Sequence, residues 1–473
     1  MTNVKYRDWI RSTMHHLLNW LQQINEIIWG PPLLIFLTFV GAYLSFKTRF
    51  VQVRYLWYAH KLAFTRHDDS AEGDISHFQS LMTALAATIG IGSIAGVATA
   101  LVTGGLGALF WMWVAAFFGM ATKYAEAILA VKYRIVDVKG EMCGGPMYYL
   151  KNGLGSKFLA TAFAILGAVT ALGTGNMVQS NSVSCAVSEL FGIAPIWTGL
   201  LLFVLTGVPL IWGIKSISRI VSFLVPAMAV FYIVGGLIIV FMKFEAIPHA
   251  FYLIFKSAFS GQAAAGGFLG ATVMSAIQMG VSRGIFSSEA GLGSSPIAAA
   301  AAKTDSPGRQ ALVSMSSVFI TTGIVCTITG LVIATTGVLG EIGANGKIIN
   351  GSALALRAFD AVIPGGGLIV TIALIPFAYS TILGWAYYGE KCIEFLLGIR
   401  SVWFYRALFA LLVIPGAVLN LELVWKIADI MNGLMAFPNL VGLFFLSKVV
   451  SSETRLFDNM LKEEKKKIKQ AAN

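Results

Sequence analysis

Two stretches of this sequence set small and polar residues inside otherwise apolar runs: ATIGIGSIAG, Ala87 to Gly96, and GIFSSEAGLGSSP, Gly284 to Pro296. A helix interrupted there leaves backbone N–H groups free at one broken end and carbonyls free at the other. The free N–H groups carry the positive end of the helix dipole and suit an anionic group, while free carbonyls suit a cation. In an apolar surrounding such breaks survive only where protein or a water-filled cavity covers them. A plainer reading is open as well: Gly92 with Gly96, and Gly291 with Ser295, have the spacing that lets neighbouring helices pack closely.

The second stretch holds a lone acid, Glu289. Ionised at mid-bilayer it would cost at least ~2.5–3.5 kcal/mol, so it must face protein or water. Two roles stand: a cap on exposed N–H groups of the broken helix, or a protonated acid taking part in coupling. Arg283, six residues earlier, is expected nearer the inner face and is a weak candidate partner. GIGSIA (Gly90 to Ala95) matches a dinucleotide-binding pattern only by accident, since no strand or βαβ unit surrounds it. A membrane-embedded enzyme would need a nucleophile with its base, or paired carboxylates, at depth. The candidate acids are Glu126, near the inner end of its run, and Glu289, far apart in sequence and with no buried histidine. A channel would want a pore-lining ring rather than two asymmetric breaks. The four cysteines are scattered without a CxxC pair and no HExxH occurs, which argues against disulfide and metal scaffolds.

The elements that must position these residues are membrane helices. Of 473 residues, 57% are hydrophobic and 12% charged, half the charged fraction of roughly 25% in soluble domains. Mean hydropathy is +0.76. The apolar runs are continuous and about 20 residues long, enough for a helix to cross a bilayer and unlike the alternation of a β-barrel. About eleven spans are expected, near 28–46, 81–103, 106–131, 158–188, 195–213, 219–243, 268–300, 310–338, 366–394, 402–420 and 424–447. Basic residues fall in alternate loops: Lys47 to Arg66, Arg134 to Lys157, Lys215 with Arg219, Lys303 with Arg309, Lys391 with Arg400, and the tail Lys462 to Lys469. The net charge of +11 is thereby a topological signal, with no nucleic-acid partner implied. These loops and the C-terminus are expected on the cytoplasmic side of a cell membrane, the inner membrane of a bacterium or archaeon. The N-terminus is expected outside, against the mild opposition of Lys5, Arg7 and Arg11.

The interrupted runs open two consecutive groups of five spans, and an odd group size inverts the second relative to the first. Gly-interrupted segments at corresponding places of two halves point to the binding site of a secondary transporter. The chain divides accordingly into an N-terminal amphipathic segment, extra helix and loop (1–80), a first repeat (81–243), a second, inverted repeat (244–447) and a basic tail (448–473).

Several stretches then carry a family resemblance: WGPPLLIFLTFVGAYLSFKTRF (29–50), IAGVATAL (94–101), GGLGALFWMWVAAFFGMATKYAE (104–126), GGPMYYL (144–150), GNMVQSNS (175–182), RGIFSSEAGLGSSPIAAAAAKTDSP (283–307) and STILGW (380–385). On these the chain resembles the alanine or glycine:cation symporters. The resemblance implies an all-α LeuT-type fold of five plus five inverted helices with one extra helix in front. It also implies sodium-coupled symport of small neutral amino acids, alanine or glycine, into the cell by alternating access, with Na⁺ as coupling ion and no other cofactor. The alternative is a proton-coupled carrier of a different small neutral amino acid. Two departures bear on this choice. Gly90-Ile91-Gly92-Ser93 stands where the family usually has GTGN, and Phe286-Ser287-Ser288-Glu289-Ala290-Gly291 where it has FSNEAG.

An amino-acid zwitterion needs donors for its carboxylate and acceptors for its ammonium. The N–H groups of Ile91, Gly92 and Ser93 are the expected donors; the carbonyls of Phe286 and Ser287 are the expected acceptors, beside Gly291, with the Phe286 ring as one wall. Asn176 and Gln179, three apart on one helical face, either touch substrate or tie helices together. Thr381 and Trp385, at i and i+4, would set a hydroxyl beside a large ring and keep the pocket small. In the manner of LeuT-type proteins, the carbonyls near Ala86 and Ile89 with the hydroxyls of Ser380 and Thr381 would hold sodium, although such hydroxyls also bond back to their own helix.

Overall fold

The computed structural model describes residues 16–65, 72–260, 272–343, 346–419 and 422–471. Lys5, Arg7, Arg11 and Arg66 lie outside the described residues, as does 261–271 ahead of the second interrupted run. The described chain is almost wholly helical. Helix α1, Pro31–Lys47, continues a helical run from His16. Next come α2, His77–Thr88, and α3, Ala95–Gly104, joined through a tight turn at Ile91–Ser93. They are followed by α4, Gly107–Lys132, then α5, Lys157–Leu172, and α6, Val178–Phe191, continuous through a π-helical turn at Gly173–Met177. The order continues with α7, Pro195–Ile211; α8, Ile214–Met242; and the short α9, Ile247–Ser260.

The second half holds α10, Val273–Ser288; α11, Pro296–Ala300; α12, Pro307–Val318; and α13, Thr327–Thr336. It closes with α14, Gly351–Asp360; α15, Gly367–Leu397; α16, Ser401–Val418; α17, Glu422–Phe445; and α18, Ser447–Ala471. Among the described residues, eight helical runs are long and apolar enough to cross a membrane, or nine if the bent α2–α3 pair is one span. The expected eleven further includes α7, 17 residues long, and the interrupted α10–α11, which this measure of length leaves out.

Both breaks follow from local sequence. Helix α2 starts on a capping box, Ser76 accepting from the Gln79 N–H and Gln79 returning the bond. It stops at Ile89, and the chain resumes at 66° after the bend. Helix α10 stops at Glu289, which adopts the left-handed region at φ 54°. Gly291 and Gly293 follow at φ 89° and 81°, values that suit glycine because no Cβ meets the backbone. Pro296, whose ring fixes a helical φ and whose missing N–H costs nothing at a first turn, then opens α11.

Helix α4 is the centre of the packing, with α10 and α12 against it. Of its apolar window 83% is buried, against 39% for α16, which therefore presents most of its surface outward. Gly280 and Gly284 of α10 lie against Ala108 and Met112 of α4, so these helices run parallel. At the end of the molecule that holds the basic loops, α18 pairs Glu453 with Lys132, Asp458 with Arg54 and Glu464 with Arg309. The expected basic tail is thus a helix strapped across that end.

Candidate functional site

The two breaks meet on one small cavity. The first contributes Gly90, Ile91 and Gly92, and α10 contributes Phe286 with Glu289 just past its end. Gln179 and Thr174 come from the α5–α6 run, Thr381 and Trp385 from α15, and Asn432 from α17. The cavity measures about 20 Å³, room for roughly one water at 10–15 Å³. Six of the residues expected at a substrate site therefore share a wall: Ile91, Gly92, Gln179, Phe286, Thr381 and Trp385. Ser93 and Ser287 adjoin it as a pair, their hydroxyls 3.0 Å apart, with Ser287 Oγ also 3.1 Å from Cys326 Sγ.

Other expected residues point elsewhere. Asn176 donates through Nδ2 to the Phe409 carbonyl at 2.5 Å and does not line the cavity. Gly291 faces Leu37, Leu440 and Thr122 on the other side of the break. The Ser93 N–H closes a turn on the Gly90 carbonyl at 3.1 Å, so it is engaged within the backbone, leaving Ile91 and Gly92 as the cavity-lining members of the expected donor set.

Close backbone approach shapes the walls. A Cβ on Gly90 would stand 2.6 Å from Thr381 Oγ1, and one on Gly92 3.2 Å from the Phe286 ring. A Cβ on Gly175 would fall 2.3 Å from that of Trp385, so this glycine seats the indole. Beside the cavity, three of the oxygens expected for sodium converge. Thr381 Oγ1 lies 3.0 Å and Ser380 Oγ 3.3 Å from the Ala86 carbonyl, and both hydroxyls also donate to the Phe377 carbonyl of their own helix. Ile89, the end of α2, turns out of the helical ladder at ψ 77°.

The second break rests on residues the sequence reading left aside. Glu126 of α4, fully buried, accepts through Oε1 from the N–H groups of Gly291 and Gly293, both at 3.1 Å, and from Asn439 Nδ2 at 2.6 Å. Asn439 also donates to the Gly291 carbonyl at 2.9 Å and accepts from the Tyr149 hydroxyl. Lys123, one turn before Glu126, donates to the Ser288 carbonyl at 2.9 Å at the negative end of α10, facing Glu126 and Glu289. The capping considered for Glu289 thus belongs to Glu126; Glu289 accepts instead from the Ser294 hydroxyl at 2.6 Å.

Arg283 is a correction. Because α10 runs parallel to α4, Arg283 lies toward the end opposite Lys132 and the basic loops, the end that the sequence reading did not expect for it. There it stacks over the Phe286 ring at 5.8 Å and faces Asp429 of α17.

At the basic end the two broken helices are stitched together. The strand-like lead into α2 pairs with the chain leaving α11: Asp74 N–H and Ile75 N–H reach the Ala301 carbonyl at 2.8 and 3.2 Å, and Lys303 N–H reaches the Ile75 carbonyl at 2.7 Å. Arg134 clasps both, donating to the carbonyls of Ala300 (3.1 Å), Ala302 (2.8 Å) and Glu72 (3.0 Å). Nearby, Asp137, Cys143 and Glu394 bring ligand atoms within 4.8 Å of one another, but Lys391 already supplies a cation there, 2.8 Å from Glu394 and 3.3 Å from Cys143 Sγ.

Two interrupted helices from two halves of the chain, meeting on one small cavity beside a set of hard oxygens, define a broken-helix secondary transporter. In three dimensions the chain is similar to MhsT, seen in a crystal structure in complex with L-phenylalanine. The TM-score is 0.55 at 14% identity, covering 81% of this chain and 99% of that one, which shows the LeuT-type fold. In sequence, residues 14–471 match the sodium:alanine symporter family, and the chain belongs to that family. It is 55% identical to the sodium/alanine symporter AgcS of Methanococcus maripaludis, over 94% of this chain and 98% of that protein. It is 37% identical to YrbD of Bacillus subtilis, a putative sodium/proton-dependent alanine carrier protein, over 91% and 90%. It is 36% identical to the probable sodium/glutamine symporter GlnT of the same organism, over 90% and 87%.

Proposed function

We propose that this protein is a sodium-coupled symporter that carries alanine or glycine into the cell by alternating access. The observation that carries the reading is the meeting of both helix breaks on one small cavity beside the oxygens of Ala86, Ser380 and Thr381. The N–H groups of Ile91 and Gly92 meet the substrate carboxylate, and carbonyls at the end of α10 meet its ammonium. Phe286 and Trp385 keep the side-chain space small. Sodium sits among the Ala86 carbonyl and the two hydroxyls, with Ile89 as a further carbonyl ligand. The match to AgcS, whose name gives sodium and alanine, supports the substrate class.

In this reading the chain has eleven crossings, with inverted repeats at 81–243 and 244–447. Its basic loops and α18 lie in the cytoplasm, and the stitch around Arg134 is the inner seal. The test is uptake of radiolabelled alanine by the purified chain in proteoliposomes. Uptake is expected to require an inward Na⁺ gradient. Uptake that ignores Na⁺ and follows a pH gradient would overturn sodium coupling.

A further inference from the structure

One residue of the cavity wall comes from a helix that the sequence reading gave no part in binding. Asn432 of α17 lines the cavity and is 2% exposed, and its Oδ1 has no hydrogen-bond partner among the described residues. Two further cavity-lining atoms share that condition, Thr174 Oγ1 and Gln179 Oε1, on residues 6% and 5% exposed. Buried polar atoms are almost always paired, and each one left unpaired is costly. Three such atoms belong to residues that line this one cavity, and a ligand donor bound there would pair them.

The backbone holds this wall in place. Gly173 opens the π-helical turn of the α5–α6 run, and a Cβ there would stand 2.8 Å from that of Ala428. This close approach draws α17 in, and Asn432 lies one helical turn beyond Ala428, on the same face. The same turn leaves the Thr174 carbonyl to accept from Gln179 Nε2 at 3.1 Å, which fixes the Gln179 amide with its oxygen unpartnered. π-Helical turns of this kind recur at functional sites.

We propose that Asn432 is a substrate-contacting, specificity-determining residue which, with Thr174 and Gln179, receives a hydrogen-bond donor of the bound amino acid. The proposal rests on the amino-acid symport reading. The donor is either the α-ammonium, common to all amino acids, or a small side-chain hydroxyl such as that of serine.

The test uses the full chain in proteoliposomes and first requires sodium-driven alanine uptake by the unaltered protein; its failure there would count against the symport reading and not against the wall. Asn432→Leu keeps the side-chain volume and removes the amide. If the wall receives the ammonium, the KM for alanine, glycine and serine rises together, about tenfold or more, while Vmax stays within about twofold. If it receives a hydroxyl, the KM for serine alone rises. Unchanged KM values for all three, or a loss confined to Vmax, would overturn the proposal. Thr174→Val, nearly isosteric, gives the same readout if Asn432→Leu does not yield monodisperse protein.

Discussion

Replacing Glu126 tests whether the break after α10 is held from outside its own helix. Its single oxygen Oε1 accepts from Gly291, Gly293 and Asn439. Glu126→Leu would leave two backbone N–H groups unpaired in a dry interior, each costing about 1–3 kcal/mol, so roughly 2–6 kcal/mol in total. Glu126→Gln keeps a carbonyl oxygen and loses the charge that strengthens the three bonds. Charged hydrogen bonds contribute about 1.5–3 kcal/mol against about 0.5–1.5 for neutral ones, so about 1–1.5 kcal/mol is lost for each of the three bonds, all of which are still made. Lys123 adds to both, because it keeps the Ser288 carbonyl and Glu289 but loses one of its two facing acids.

Thermal unfolding followed by size exclusion, with initial rates of sodium-driven alanine uptake, reads both consequences. The expected order is wild type above Glu126→Gln above Glu126→Leu in melting temperature and in rate. Since about 1.4 kcal/mol is tenfold in an equilibrium, Glu126→Leu should fall at least tenfold in rate. A monodisperse Glu126→Leu protein that melts and transports like the wild type would refute the argument that this carboxylate holds the break.

Four further perturbations follow. Trp385→Leu should enlarge the pocket so that bulkier amino acids compete for alanine uptake; Gly175→Ala, whose Cβ would fall 2.3 Å from that of Trp385, should displace the indole and disturb selectivity in the same assay. Thr381→Val removes the hydroxyl that now reaches the Ala86 carbonyl at 3.0 Å while keeping its shape. The Na⁺ concentration for half-maximal uptake should rise about tenfold, the equivalent of about 1.4 kcal/mol, with no comparable change for a control such as Ser182→Ala. Arg134→Ala removes three clasping bonds, and a cysteine placed at Ala300 should then react faster with a thiol reagent presented from the cytoplasmic side; an unchanged rate would remove Arg134 from the inner seal.

The sequence reading succeeded where the signal was local. Apolar length sets the helices, so the expected 106–131 and 366–394 are Gly107–Lys132 and Gly367–Leu397. Glycine and polar residues within apolar runs mark the breaks, so Ile91, Gly92 and Phe286 meet on the cavity. Asn176 shows how a local rule fails. It shares a face with Gln179 only on a regular α-helix, and the π-helical turn Gly173–Met177 inserts a residue that rotates the two amides apart. One then reaches Phe409 and the other the cavity.

Glu126 was harder to read because the N–H groups it caps are 165 and 167 residues away. A signal existed nonetheless: Lys123 and Glu126 put two charges inside an apolar helix, one turn apart, and ionisable residues at such depth mark functional sites. Asn432 and Asn439, seven apart on α17, carried a similar hint of one polar face.

Several bonds tie helix α2 and its lead to neighbouring elements, and two of these attachments differ in strength. Midway along the molecule, the Ala86 carbonyl meets the Thr381 and Ser380 hydroxyls at 3.0 and 3.3 Å. Both hydroxyls have an alternative acceptor in the Phe377 carbonyl of their own helix, at 3.0 and 2.9 Å. That attachment is thus cheap to release, about 0.5–1.5 kcal/mol per neutral bond, and an ion coordinated by the same oxygens would strengthen it directly. At the basic end, three guanidinium bonds from Arg134 add to the backbone pairing of residues 72–75 with 301–304, so more bonds must part together there. On the proposed reading, sodium therefore acts on the weaker attachment, where its binding energy changes the balance most. On the same reading, the stitch keeps the inner side shut until it parts as a unit. An ion that bound at the stitch instead would add to a seal that is already strong. On the proposed reading, the position of the hard oxygens beside the substrate cavity, and away from the seal, lets ion binding and inner opening be separate events joined through one helix.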